Sequence, residues 1–187
     1  ERHAEQPRSP SRLGGVGTVP TLAKAPWWDG TSAYRVIDKW VAQWGDGEDD
    51  MAKAKPLPEG LRVVPESEYT AVDPSIPDLG SLTDFFARGA ERNDRAVPWR
   101  RVDAYAGEVG IVEGWPIGFQ DNRFWPVHCY ASVGVARDLS PDTGTGAELY
   151  AVIGHAPRQL DRNIAVVGRV IEGIEHLSTL PRGKGEA

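Results

Sequence analysis

The side chains of this 187-residue chain that could do covalent or metal chemistry are few, and their spacing suits none of it. Its four histidines (His3, His128, His155 and His176) have no metal-ligand spacing, and Cys129 has no cysteine partner. A zinc site needs several such ligands drawn together. Cys129 follows His128 directly, but sequence neighbours are not a nucleophile and a base within hydrogen-bond reach. Thr143-Gly144-Thr145-Gly146 is glycine-rich, yet it lacks the Gly-Lys-Ser/Thr ending of a phosphate loop and leads into a strand pattern rather than a helix. No Gly-x-Ser-x-Gly elbow is present. The acidic run Glu48-Asp49-Asp50 has the oxygen ligands a hard cation wants, but reads as a solvated loop. Arg35, taken alone in a strand pattern, reads as a surface residue. Residue type by itself disfavours nucleophilic, metal-dependent and phosphate-binding chemistry.

Composition narrows the class further. A chain of this length has the size of one domain and can bury a sizeable core. Apolar residues make up 40%, with seven tryptophans available as large anchors. A net charge of −6 and a pI of 5.2 argue against nucleic-acid binding, which needs a basic surface. No apolar run approaches the roughly 18 residues of a membrane span, and no secretory apolar region is visible. The sequence opens on Glu1 and its only methionine is Met51, which reads as a start of translation upstream and leaves room for a removed targeting segment. Periplasm and cytoplasm both remain open. Cys129 alone excludes an internal disulfide.

The elements that would position a site are clearest near the C-terminus. From Asp142 to Gly173 a glycine-rich turn precedes an apolar run, Leu149 to Ile153, and a second run follows from Ile164 to Val170. Gly144 and Gly146 suit positive φ, Leu149-Tyr150 and Val152-Ile153 favour a strand, and Pro157 opens a helical turn. The order is strand, helical turn, strand. Residues 1–20 read as an irregular tail and Thr21–Ala25 as the end of a helix. From Ala33 to Trp44 the chain reads as extended, but neither parity is cleanly apolar, which a bend or bulge near Asp38-Lys39 would explain. Residues 46–108 read as a long insertion in a single domain over 21–187. Within it Leu61–Val64 reads as a short strand, and Leu82–Glu91 as a helix capped by Ser81 and Asp84. Short apolar segments alternate with turns from Val109 to Asp138, with a strand over His128–Val135, and a helix is expected over about Ile174–Leu180.

Two blocks in this order resemble the cyclophilin-type peptidyl-prolyl isomerases. Asp29-Gly30-Thr31-Ser32-Ala33-Tyr34-Arg35-Val36 is similar to that family's Asp-Gly-Thr-x-Phe-His-Arg-Val, and Gln43-Trp44-Gly45-Asp46 to its Gln-Gly-Gly-Asp. Downstream, Gly146–Tyr150 is similar to Gly-Ser-Gln-Phe-Phe, Leu160-Asp161-Arg162 to the Leu-Asp-Gly loop, and Val166–Val170 with Glu172-Gly173 to Val-Phe-Gly-Lys-Val and Glu-Gly. The resemblance implies a mainly β fold, a cyclophilin-like antiparallel β-barrel. Its first and last strands have no counterpart here, so an open, incomplete barrel is expected, with the apolar side chains of the Ile164–Val170 strand left more exposed.

The same resemblance implies a cofactor-free cis–trans isomerase of Xaa-Pro bonds, acting as a monomer on proline-containing polypeptides and assisting their folding. Arg35 falls at the catalytic arginine and Gln43 at the carbonyl-contacting glutamine. Trp40, Val41, Tyr150 and Leu160 fall in the proline pocket, and Ala136 and Arg137 at a backbone-contacting Ala-Asn pair. Glu148 replaces a second glutamine, Tyr34 the histidine before the arginine, Ile164 a loop histidine, and Gln159 the tryptophan that helps bind a fungal cyclic peptide. These changes leave two rivals standing: a proline-segment binding or chaperone-like module with little turnover, and a fragment without function.

Overall fold

The computed structural model describes residues 18–48, 50, 52–71, 103–112, 115–121 and 123–182. The expected tail over 1–17 and the expected helix over 82–91 with its cap lie outside the described residues. Helix α1 spans Thr18–Lys24, so it contains most of the Thr21–Ala25 helix end and begins inside the stretch read as irregular. Eight strands follow among the described residues: β1 (Ser32–Val36), β2 (Val41–Gly45), β3 (Glu108–Val112), β4 (Trp115–Gln120), β5 (Arg123–Pro126), β6 (Ser132–Val135), β7 (Glu148–Val152) and β8 (Val166–Arg169). Helix α2, Ile174–Ser178, lies within the span expected for it.

All strand pairs are antiparallel, and they form two sheets. One has five strands in the order β1-β2-β7-β6-β8; the other has three, β3-β4-β5. No closed barrel forms among the described residues. β1 and β8 are the sheet edges there, as expected of an open barrel. None of the apolar side chains from Ile164 to Val170, expected to be more exposed beside the open edge, is fully exposed. Ala165 and Val166 are buried and Val167 half-buried, whereas Ile171 just beyond β8 is 88% exposed.

Position in the sheet explains the confusing pattern from Ala33 to Trp44. β2 lies between two strands, and its Val41, Ala42 and Gln43 are all buried, so both parities face protein. β1 is an edge strand whose first three residues are exposed. What separates them is a hairpin turn rather than a bulge. The Ile37 N–H donates to Val41 O at 2.9 Å, and Lys39 takes φ of 57°. The bulge lies earlier, where the β1–β2 register shifts between Ala33 and Arg35. Adjacent strand residues normally face opposite ways, and an extra residue lets them turn the same way. Tyr34 and Arg35 do turn the same way, both reaching Gln43.

Two other expectations are corrected. Residues 61–64 form no strand; Val64 instead packs with Tyr69 and Ala165 in a small core cluster. The strand expected over His128–Val135 begins only at Ser132, after a turn at Tyr130-Ala131, because His128 and Cys129 spend their polar groups on other partners. Part of the 46–108 stretch is tied to the sheets. Ala71 and Phe124 exchange backbone hydrogen bonds at 3.0 Å, and Lys55 donates its ammonium to the Trp27 and Asp29 carbonyls.

The β1–β2 turn is also gripped from the far side. Ile153 and His155 donate their N–H groups to Trp40 O at 2.8 Å and Lys39 O at 2.9 Å. Between them sits Gly154, where an added Cβ would lie 2.0 Å from the Lys39 carbonyl oxygen. That obstacle is backbone and cannot swing aside. Gly154→Ala is therefore expected to destabilise the fold by about 1–3 kcal/mol or more in urea denaturation. Gly168→Ala, whose Cβ meets only Val133 at 3.9 Å, should stay within about 0.5 kcal/mol. Equal effects at the two positions would contradict this packing.

Candidate active site

A cavity of about 650 Å³ opens where the β1–β2 hairpin, β7, the chain after β6 and the β7–β8 connection meet. Its wall includes Arg35, Trp40, Val41 and Gln43 from the hairpin and Glu148 and Tyr150 from β7. Ala136 and Arg137 follow β6, and Leu160 and Ile164 come from the β7–β8 connection. All nine side chains singled out in the sequence thus meet on one concave surface, although more than a hundred positions separate Trp40 from Tyr150. β2–β7 pairing brings them together: Gln43 stands opposite Tyr150, and Val41 opposite Val152.

One side of the cavity is apolar. Val41, Tyr150 and Val152 are buried there, and Trp40, Ala136, Leu160 and Ile164 pack half-buried against them. The other side is polar and centred on Gln43, which is itself buried. Arg35 donates from Nη1 to Gln43 Oε1 at 3.2 Å, and its guanidinium lies 5.9 Å over the Trp40 ring. Gln43 donates from Nε2 to the Tyr34 phenol oxygen at 2.5 Å and to Glu148 Oε2 at 3.3 Å. Partial burial and then the Glu148 carboxylate push the Tyr34 phenol up to about 12, so it keeps its proton at neutral pH. Arg35 is thereby held at the rim by Nη1, with Nε and Nη2 donating to no protein acceptor among the described residues.

Arg137 is a different kind of arginine. It donates to Asn163 O from Nε at 3.1 Å and from Nη2 at 2.9 Å, and to Asn163 Oδ1 at 2.5 Å. Nη1 holds the Asp138 and Asp142 carbonyls. Its fork is spent on tying two loops together. Glu148 brings a charge to the rim, facing Gln43 and Tyr34.

Sequence reasoning missed what lies behind the apolar wall. His128 is wholly buried, with Nδ1 3.1 Å from Asp161 Oδ1 and Nε2 2.8 Å from the Tyr150 phenol oxygen. Arg158 Nε donates to Asp161 Oδ2 at 2.6 Å, and its two terminal nitrogens grip the Asp103 carboxylate at 2.5 and 2.9 Å. Asp161 follows the cavity residue Leu160, and that adjacency was the available signal. A second concavity of about 560 Å³, lined by Asp29–Ser32 and Gly45–Glu48, shares Asp46, Glu48 and Lys55 with the first.

Comparison with known proteins adds three findings. The family model described as cyclophilin type peptidyl-prolyl cis-trans isomerase/CLD matches residues 16–187. No curated protein sequence matches the chain. A solved structure that does match is the crystal structure of cyclophilin AquaCyp293 from Hirschia baltica, with a TM-score of 0.55 and 20% identity. The match covers 90% of this chain and 62% of that one, so the chain spans about three fifths of its length.

Asp161 is expected to make the fold sensitive to acid. Burial pushes its carboxyl up, but the hydrogen bonds from the His128 ring and amide and from Arg158 outweigh that and hold it below the usual carboxylate range. A carboxyl depressed in the folded state contributes stability above its unfolded value of about 4, and that contribution is lost as pH falls through the folded value. The melting temperature should hold from neutral pH to about 5 and fall below about 4. Asp161→Asn, less stable at neutral pH, should show a shallower fall. An acid limb unchanged by the substitution would remove Asp161 from the explanation.

Proposed function

The chain belongs to the family of cyclophilin-type peptidyl-prolyl cis-trans isomerases, and we propose that it catalyses cis–trans isomerisation of Xaa-Pro bonds in flexible polypeptides. The observation that carries this reading is a clamped guanidinium, Arg35, at the rim of a concave apolar pocket walled by Trp40, Val41, Tyr150 and Leu160. Residues 21–187 act as one unit in this reading, with 46–108 as an insertion.

The barrier to rotating an amide is about 18–20 kcal/mol and comes from conjugation of the nitrogen lone pair. Twisting the bond frees that lone pair, and a donor against the prolyl nitrogen stabilises the twisted state. A guanidinium suits the task because it is always charged and offers several donors. One charge-assisted hydrogen bond contributes about 1.5–3 kcal/mol, or one to two powers of ten in rate. The pocket supplies the rest by holding the ring while the preceding carbonyl turns. Burying a prolyl ring of three methylenes gives only about 2 kcal/mol, against about 4 kcal/mol for a millimolar complex. The remaining affinity comes from chain on either side, for which the adjoining concavity between Asp29 and Glu48 offers a path.

A second reading has an observation of its own. The Gln43 amide, the group that would meet a substrate carbonyl, is already engaged by Tyr34 and Glu148. A site that cannot release it would bind proline segments with little turnover. Kinetics separate the two. Arg35→Ala should lower kcat/KM for a proline tetrapeptide at least about tenfold while leaving its dissociation constant within a few-fold, because the donor acts on the twisted state. An unchanged rate in the variant would show that Arg35 is not the catalytic group, and no acceleration by the unmutated chain would favour the binding reading.

A further inference from the structure

The chain of polar groups behind the pocket touches no substrate in this scheme, yet it ends on a pocket residue. The Asp161 carboxylate is an acceptor only, and its Oδ1 takes the His128 backbone N–H at 2.9 Å and faces His128 Nδ1 at 3.1 Å. A neutral His128 ring therefore carries its proton on Nδ1, and its Nε2 is left to accept the Tyr150 O–H at 2.8 Å. The two rings also stack, with centroids 6.2 Å apart and planes 11° apart. Space for the phenol comes from β6. A Cβ on Gly134 would lie 2.3 Å from both Cζ and the hydroxyl oxygen of Tyr150. Arg158 and Asp103 hold the far end of the chain in place.

We propose that His128 is a positioning residue of the proline pocket: kept in one tautomer by Asp161, it fixes the Tyr150 phenol so that the ring forms a rigid wall against the proline. The inference rests on the isomerase reading for its effect on rate. His128 and Asp161 act through Tyr150 and Leu160 and never meet the peptide. A wall free to tilt would let the proline ring turn with the carbonyl, so turnover falls without loss of the fold.

The test is a double-mutant cycle on kcat/KM with a proline tetrapeptide, using Tyr150→Phe, His128→Asn and the pair. Each single change should lower kcat/KM about three- to tenfold, as expected for one hydrogen bond. The pair should cost no more than the worse single change, because the second substitution removes an interaction already lost. Costs that multiply, or a folded His128→Asn variant at the unmutated rate, would overturn the proposal. The unmutated protein supplies a measurement that does not depend on the variants folding. Imidazole ¹⁵N shifts of His128 should show Nδ1 protonated and Nε2 as an acceptor, and a proton on Nε2 would overturn the tautomer. If the unmutated chain does not isomerise, the isomerase reading fails separately. The cycle is then read in tetrapeptide dissociation constants, with the same non-additivity expected and multiplying costs again contradicting it.

Discussion

A carboxylate sealed from water is tolerable only when donors surround it, and Asp161 is the place where this fold meets that demand. Its donors come from far apart in the chain: the amide before β6 at His128, the His128 ring, and Arg158 in the turn after β7. Arg158 in turn carries Asp103 from the end of the 46–108 stretch. Removing one partner of such a buried ionic group typically costs about 3–5 kcal/mol, a large share of the roughly 5–15 kcal/mol that holds a whole domain together. The connection bearing Leu160 and Ile164 is thus pinned to the β6 side of the sheet by charge as well as by apolar contact. The pocket inherits its shape from that pin.

Gln43 plays the matching part at the opposite rim. Its oxygen orients Arg35, and its nitrogen bridges Tyr34 and Glu148. Between the two polar hubs the wall is apolar, which lowers the local dielectric and strengthens any hydrogen bond made there. The bulge in β1 is what allows the arrangement, since it turns Tyr34 and Arg35 toward the same amide. Without it one of the two would face away. Edge strands tolerate such irregularity better than central ones, and β1 is an edge among the described residues.

Much of this was legible in the sequence where local pattern and position agree. Leu149–Ile153 and Ile164–Val170 read as strands because they are short, β-branched runs between turn residues, and β7 and β8 lie within them. Most of the residues that meet on the cavity were named from two sequence blocks that β2–β7 pairing joins, while Ala136 and Arg137 lie outside both. Other features depend on partners that no local pattern reveals. The 33–44 pattern blurred because β2 is buried on both faces, a consequence of sheet order. Val63 and Val64 look like a strand, but nothing among the described residues pairs with them. The three-stranded sheet showed only as short apolar segments, with Pro116 and Pro126 lying inside β4 and β5. His128 looked unremarkable because its meaning comes from Asp161 and Tyr150, 33 and 22 positions away.

The central claim is that the apolar cavity beside Arg35 receives a proline ring. Intermolecular nuclear Overhauser effects between a ¹³C-labelled proline tetrapeptide and the protein test it directly. The account predicts contacts from the proline ring protons to Val41, Tyr150 and Leu160, with the residue before the proline near Arg35 and Gln43. Proline contacts confined to the Asp29–Ser32 concavity, or a peptide that binds without touching Tyr150, would contradict it.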